Sequence, residues 1–278
     1  MTKRTDDAKE TTEMRALVTN DDGVHSPGLH ALAAVAVHAG LEVVIAAPHE
    51  ERSGASASLT ALQADSRLII HESETHVEGV EQVLGVEASP AFIVMAAMAG
   101  AFGPEPGLIL SGINLGPNTG HAILHSGTVG ATLTGATLSC PGIAVSLAGS
   151  RPTQFGTAAG VAAQVLDWVL QREVAPSLVL NVNVPDVPLA ELRGLRQASL
   201  AEFGAVQAEV GEIGKGYATI TFSHIDAEYE AETDAALVKE GWATITALAA
   251  PCEAVRMDLS GLPIEDAAAQ PSGSERGR

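Results

Sequence analysis

Between residue 15 and about residue 185, short uninterrupted runs of Val, Ile, Leu and Ala alternate with longer stretches of small and aliphatic residues. Runs that are apolar throughout, rather than at every second position, suit strands buried on both faces. Strands alternating with helical stretches in turn predict a mostly parallel sheet covered on two sides, so the fold class is α/β. The predicted strands cover residues 15–19, 42–47, 108–111, 143–147 and 178–184, and the predicted helices cover 28–39, 90–101, 128–138 and 155–171. Pro27 and Gly40 bracket the first helix with the usual start and stop residues. Residues 67–71 and 75–79 read as short additional strands.

The rhythm changes after Val184-Pro185-Asp186. Residues 211–217 are rich in turn formers, 217–222 alternate in the manner of a half-buried strand, and 242–246 read as one more strand. The expected organisation is a sheet-forming domain over 14–185, a smaller lobe over 186–250, and flexible termini at 1–13 and 251–278, the tail from Gly261 on reading as disordered. The polar leader lacks the apolar core of a secretion signal, and no window is apolar for long enough to cross a bilayer. A cytoplasmic protein with no membrane partner is expected.

Composition narrows the partners. The 278 residues carry a formal net charge of -19, which opposes any ligand held through a phosphate backbone, so no polymeric nucleic acid is expected. A small phosphorylated molecule remains compatible if a cation reverses the local field. Cys140 and Cys252 are too few for a disulfide framework or a thiolate cluster, and Cys140 reads as a core residue.

The candidate chemistry lies where strands end. Asn20-Asp21-Asp22-Gly23 places adjacent carboxylates directly after the first strand, the position at which open α/β sheets hold ligands. Such a pair repels itself and suits a compensating cation, although Asn-Asp-Asp-Gly is also good turn chemistry. Three further segments follow strands at the same edge or open a helix: 48–56 with Ser53, 111–120 with Asn114 and Asn118, and 125–131 with Ser126, Gly127 and Thr128. Together they offer carboxylate, hydroxyl and amide oxygens, a hard donor set for Mg²⁺ or Mn²⁺ rather than zinc. Ser126, Gly127 and Thr128 present hydroxyls and backbone N–H groups at a helix start, where an anion such as phosphate is favoured. His25, His49, His121 and His125 read as loop residues around an oxygen-rich site rather than as ligands.

Other chemistries fit less well. The first strand-to-helix turn lacks Gly-x-Gly-x-x-Gly, and its carboxylates would repel a pyrophosphate, which counts against a dinucleotide-binding or regulatory module. There is no Walker lysine. A phosphatase with an Asp nucleophile, or a non-catalytic nucleotide-binding module, stays as the alternative.

Thr19-Asn20-Asp21-Asp22-Gly23, Arg52-Ser53-Gly54, Ser111-Gly112-Ile113-Asn114 and Ser126-Gly127-Thr128-Val129-Gly130-Ala131, in this order, resemble the SurE family of metal-dependent nucleotide phosphatases. The likeness is close over residues 14–147, and Thr233-Asp234-Ala235-Ala236-Leu237-Val238 with Gly241-Trp242 resembles a family segment further on. The resemblance implies a Rossmann-like domain, one divalent ion per subunit, and hydrolysis of nucleoside 5′-monophosphates to nucleoside and phosphate by metal-activated water. It also implies a homodimer or homotetramer assembled through the C-terminal lobe. By the same resemblance the metal ligands are Asp21, Asp22, Ser53 and Asn114, the catalytic residues Asp21 and Asn20, and the phosphate and substrate contacts Asn20, Asn118, Ser126, Gly127 and Thr128. His121 and His125 are candidates for protonating the leaving group. The chain departs from the family pattern at Ala88-Ser89-Pro90-Ala91-Phe92-Ile93, Leu115, Pro117 and His121-Ala122, which touch the substrate surroundings and leave the metal set intact.

Overall fold

The protein is seen as a computed structural model that describes residues 14–61, 63–64, 67–202, 206–214, 217–224 and 229–250. The expectations for both termini, including Cys252 and the tail after Gly261, lie outside the described residues. In chain order the elements are β1 (Arg15–Thr19), α1 (Pro27–His38), β2 (Glu42–Pro48), β3 (Gln63–Ala64), β4 (Arg67–Leu68), β5 (Ile70–Glu72), β6 (Val80–Val86), α2 (Pro90–Met98), β7 (Leu108–Leu115), α3 (Gly127–Thr137), β8 (Gly142–Ala148), α4 (Phe155–Leu170), β9 (Leu178–Pro185), β10 (Leu195–Gln197), β11 (Val206–Gly214), β12 (Tyr217–His224), α5 (Asp234–Lys239) and β13 (Ala243–Ala249). A 3₁₀ turn at Gly120–His125 precedes α3.

Nine strands form one sheet in the order β10-β13-β9-β8-β7-β1-β2-β6-β5. It is parallel except where β13 meets β9 and β5 meets β6. Successive residues of β1 face opposite ways, as a strand requires. Ala16 and Val18 join Leu29 and Leu32 of α1 and Val161 and Val165 of α4 in one apolar layer. Leu17 joins Ile93 and Val94 of α2 and Ile109 of β7 in the other, where Cys140 is buried as expected. The result is three layers with β1 at the centre. Strand order runs outward from β1 in both directions, so the crevice between the carboxyl ends of β1 and β7 is the topological switch point. Among the described residues no helix is long and apolar enough to cross a membrane.

Three differences from the sequence reading have physical causes. The strand predicted over 108–111 continues to Leu115 as β7, with its register to β8 shifting between Ser111 and Asn114. Gly112 makes this possible at φ 119°, because a Cβ there would lie 2.1 Å from the Val145 carbonyl oxygen. The strand expected over 75–79 is instead irregular, and the ordered strand lies just after it as β6. Its polar Glu81 and Gln82 disguise a segment whose later residues, Val83, Leu84 and Val86, are buried. Residues 186–250, expected as a smaller lobe, return in part to the main sheet. β10 and β13 extend it, while among the described residues β11 and β12 pair only with each other as a two-stranded ribbon.

Candidate functional site

The turn after β1 is pinned by its own first residue. Asn20 is fully buried, donating from Nδ2 to the Gly23 carbonyl at 3.0 Å and accepting the Gly23 N–H on Oδ1 at 3.2 Å. That Asx-type closure holds Asp21 and Asp22 at the apex of the turn. The Asp21 carboxylate meets the start of α3: Oδ2 accepts the Gly127 N–H at 3.1 Å and Oδ1 accepts the Thr128 hydroxyl at 2.5 Å. Helix N-termini carry unpaired donors and a positive dipole end, which explains why a buried carboxylate settles there. The approach requires glycine, since a Cβ on residue 127 would stand 2.7 Å from Asp21 Oδ2.

The end of β7 completes the arrangement. Asp22 Oδ2 accepts the Leu115 N–H at 3.1 Å. Asn114 Oδ1 lies 3.3 Å from the Thr128 hydroxyl that also serves Asp21, and its Nδ2 donates to the Gly116 carbonyl at 2.8 Å, which fixes the amide. Asp21 and Asn114 are thus linked through the Thr128 hydroxyl, and Asp22 is tied to the same strand end.

Burial pushes the Asp21 pKa up against the opposing hydrogen bond from Thr128. Asp22 is pushed up to about 7, first by burial, then by the charge of Asp21, with Glu51 adding to it. Carboxylates crowded and desolvated in this way gain strongly from a cation. The converging atoms are all oxygens, so the residues fit a hard divalent ion.

The remaining expected residues are placed as follows. Ser53 is exposed in the loop after β2, and its hydroxyl donates to Glu51 Oε1 at 2.7 Å. That loop is tied to the site by the Arg52 N–H, which donates to the Asp21 carbonyl at 2.7 Å. Ser126 caps α3, accepting the Val129 N–H at 3.1 Å. The Gly127 N–H and Thr128 hydroxyl, read from sequence as phosphate donors, are engaged by Asp21. Asn118 donates from Nδ2 to Ser146 at 2.8 Å, and its carbonyl accepts from both Asn181 and Asn183, anchoring the loop to β8 and β9. His121 and His125 are exposed on the 3₁₀ turn.

Two residues were given no role in the sequence reading. Glu51 brings a third carboxylate to Asp22, and nothing in Glu50-Glu51 distinguishes it from an ordinary solvated pair. Asp234 is fully buried, accepting the Gly120 N–H at 2.9 Å on one oxygen and the Ala201 and Ala235 N–H groups at 3.0 and 2.8 Å on the other. Burial pushes its pKa up while the three N–H donors oppose the shift. It fastens the 3₁₀ turn leading into α3 to the start of α5. The sequence offered Asp234 only as part of the Thr233–Val238 segment that resembles the family, beside Thr233, a helix N-cap whose side chain accepts the Ala236 N–H at 3.4 Å.

A groove between α4 and the β9–β13 edge is lined by Val165, Trp168, Leu180, Leu195 and Ile245. It gathers no carboxylate or imidazole, so it does not compete with the β1–β7 crevice for the chemistry.

The family model described as Survival protein SurE matches residues 16–207. The 5′-nucleotidase SurE of Aeromonas hydrophila is 37% identical over 238 residues, covering 84% of this chain and 92% of that protein. The 5′/3′-nucleotidase SurE of Yersinia pestis is 35% identical over 238 residues, covering 84% and 89%. Among solved structures, the SurE protein from Aquifex aeolicus superposes with a TM-score of 0.72 at 28% identity, covering 86% of this chain and 95% of that one.

Proposed function

Because the chain belongs to the SurE family, we propose that it is a metal-dependent 5′-nucleotidase that hydrolyses nucleoside 5′-monophosphates to nucleoside and phosphate. The observation that carries this reading is the hydrogen-bonded convergence of Asp21, Asp22 and Asn114 at the switch point of the sheet. In this reading Asp21, Asp22, Ser53 and Asn114 hold one divalent ion per subunit, Mg²⁺ or Mn²⁺. Such an ion, when bound, neutralises phosphoryl oxygens and lowers the pKa of an attacking water.

The chain's own groups position everything else. Thr128 and the Gly127 N–H hold both oxygens of Asp21, which suits a fixed ligand rather than a carboxylate free to attack phosphorus. The Leu115 N–H fixes Asp22 in the same way. Asn20 keeps the turn closed, so neither carboxylate swings away as charge builds on the substrate. In this reading Ser126 and the loop holding Asn118 flank the phosphate, and His121 or His125 donates a proton to the leaving oxygen. Residues 14–185, which supply every residue named here, are the catalytic domain of a cytoplasmic enzyme in this reading. The β11–β12 ribbon, which among the described residues pairs with no other strand, supports a homodimer or homotetramer built through the C-terminal part.

The test is phosphate release from a panel of 5′-nucleotides with Mg²⁺ or Mn²⁺, with chelator, and in Asp21→Asn. Turnover should vanish on chelation and fall about a thousandfold in the variant, the loss of several kcal/mol of charge stabilisation. Activity that persists in both arms would overturn the proposal.

A further inference from the structure

One strand away from the Asp21 turn, on the other flank of β1, three side chains of different chemistry meet. His49 directly follows β2 and Glu87 directly follows β6, and the pairing of Pro48 with Val86 sets the two residues side by side. His71 lies on β5 opposite Gly85 of β6, and the Glu87 N–H donates to the Ile69 carbonyl at 3.0 Å, which draws the edge strand over the pair. His71 Nε2 stands 3.3 Å from Glu87 Oε1, and the His49 and His71 rings stack with centroids 4.1 Å apart. One ligand atom from each residue falls within 4.8 Å of the other two.

Two details separate this cluster from an ordinary surface ion pair. Among the described residues His49 Nδ1 is buried and has no hydrogen-bond partner, a costly state for a ring nitrogen. By contrast His30 engages both of its nitrogens, with Thr75 and with the Val24 carbonyl. The His49 ring also sits where only a glycine neighbour allows it, because a Cβ on Gly85 would come within 2.7 Å of Nδ1. Two imidazoles and one carboxylate are the three-ligand set of a tetrahedral transition ion with its fourth position open. Ligand separations near 3.3 Å suit such geometry, and the His71–Glu87 contact already has that length.

We propose that His49, His71 and Glu87 form a second cation site, selective for a borderline ion of the Zn²⁺ type and distinct from the oxygen donors around Asp21 and Asp22. The site has a route to the first one. Glu87 Oε2 lies 3.5 Å from the Arg52 guanidinium, and the Arg52 N–H is bonded to the Asp21 carbonyl. Ion uptake draws on the carboxylate that holds Arg52 and so bears on the loop carrying Ser53.

The proposal goes beyond the nucleotidase reading and stands or falls without it. Its test is calorimetric titration of the full chain with Zn²⁺ in millimolar Mg²⁺, repeated with Co²⁺ for its absorption spectrum. The wild-type chain should take up one Zn²⁺ with micromolar affinity and give the intense visible bands of tetrahedral Co²⁺. His71→Ala and Glu87→Gln should each weaken uptake by at least about tenfold while keeping the wild-type circular dichroism, and Asp21→Asn should leave it unchanged. Zn²⁺ uptake that is absent in the wild type, indifferent to both cluster variants, or abolished by Asp21→Asn alone would overturn it.

Discussion

The two flanks of β1 end in donors of opposite character. Toward β7 the turn and strand end present oxygens, with Asp21 buried and held on both carboxylate oxygens, Asp22 and Asn114 half-buried, and Asp22 pushed up to about 7. Toward β2, β6 and β5 the donors include two imidazoles, His71 is 43% exposed at its side chain, and Glu87 is shared with an arginine. The first flank is built from backbone N–H groups and a helix start, which do not move independently of the fold. The second is built from side chains alone, one of them, His71, on the edge strand β5, and these can. Rigidity with hard donors suits a reaction centre, and looser nitrogen donors suit an ion that comes and goes.

The sharpest way to break this contrast is Gly127→Ala. The added Cβ collides with Asp21 Oδ2, so phosphate release should fall by about a hundredfold, as displacements of an ångström do, while Zn²⁺ uptake at the second flank stays constant. Equal losses at both would show that the flanks are one unit.

Asp234→Ala removes the acceptor for three N–H groups, two of them holding segments beside the site. Unfolding monitored by circular dichroism should show a loss of roughly 3 kcal/mol and a Tm lower by about 8 °C. KM should rise more than kcat falls, because the 3₁₀ turn loosens without touching the carboxylates.

A pH series separates the flanks further. Asp22 titrates near 7 in the folded chain against 3.8 ordinarily, so between these values the folded state holds a proton that the unfolded state has released. Its contribution to stability is therefore present at low pH and lost as pH rises toward 7, and a cation that favours the ionised form reverses the loss. Mg²⁺ should raise Tm by about 5 °C at about pH 8 and by almost nothing at about pH 5, and Asp22→Asn should flatten the difference. A Mg²⁺ effect of constant size across this range would contradict the assignment.

The smallest effect is expected from Arg52→Gln. The Arg52–Glu87 pair is partly exposed at 3.5 Å, so its loss should shift Tm by less than about 2 °C. The backbone bond from residue 52 to Asp21 survives the change, and nucleotidase activity should stay within about threefold of wild type.

Much of the architecture was legible because it follows from local patterns. The helices at 27–38, 90–98, 127–137 and 155–170 and the central strands announce themselves by apolar runs and by Pro27 and Pro90 at helix starts. β6 did not, since Glu81 and Gln82 lead a segment whose burial depends on pairing with β2. The extension of β7 past Gly112 was equally hidden, because it depends on the approach of the Val145 carbonyl, far away in the chain.

The residue types of the site could be read from the sequence: adjacent carboxylates after a strand, an asparagine after another, hydroxyls at a helix start. Their partners could not. That Thr128 serves Asp21, that Asn20 closes its own turn, that Asp234 holds Gly120 across 114 residues, and that His49 and His71 stack are outcomes of strand order and register. The sequence by itself determined which segments form strands and helices and which oxygen donors sit at strand ends, since these depend on neighbours a few residues apart. Only the tertiary structure decided which donors face one another and how far each carboxylate is desolvated, because hydrogen bonding and burial act between segments that the chain keeps apart and the sheet brings together.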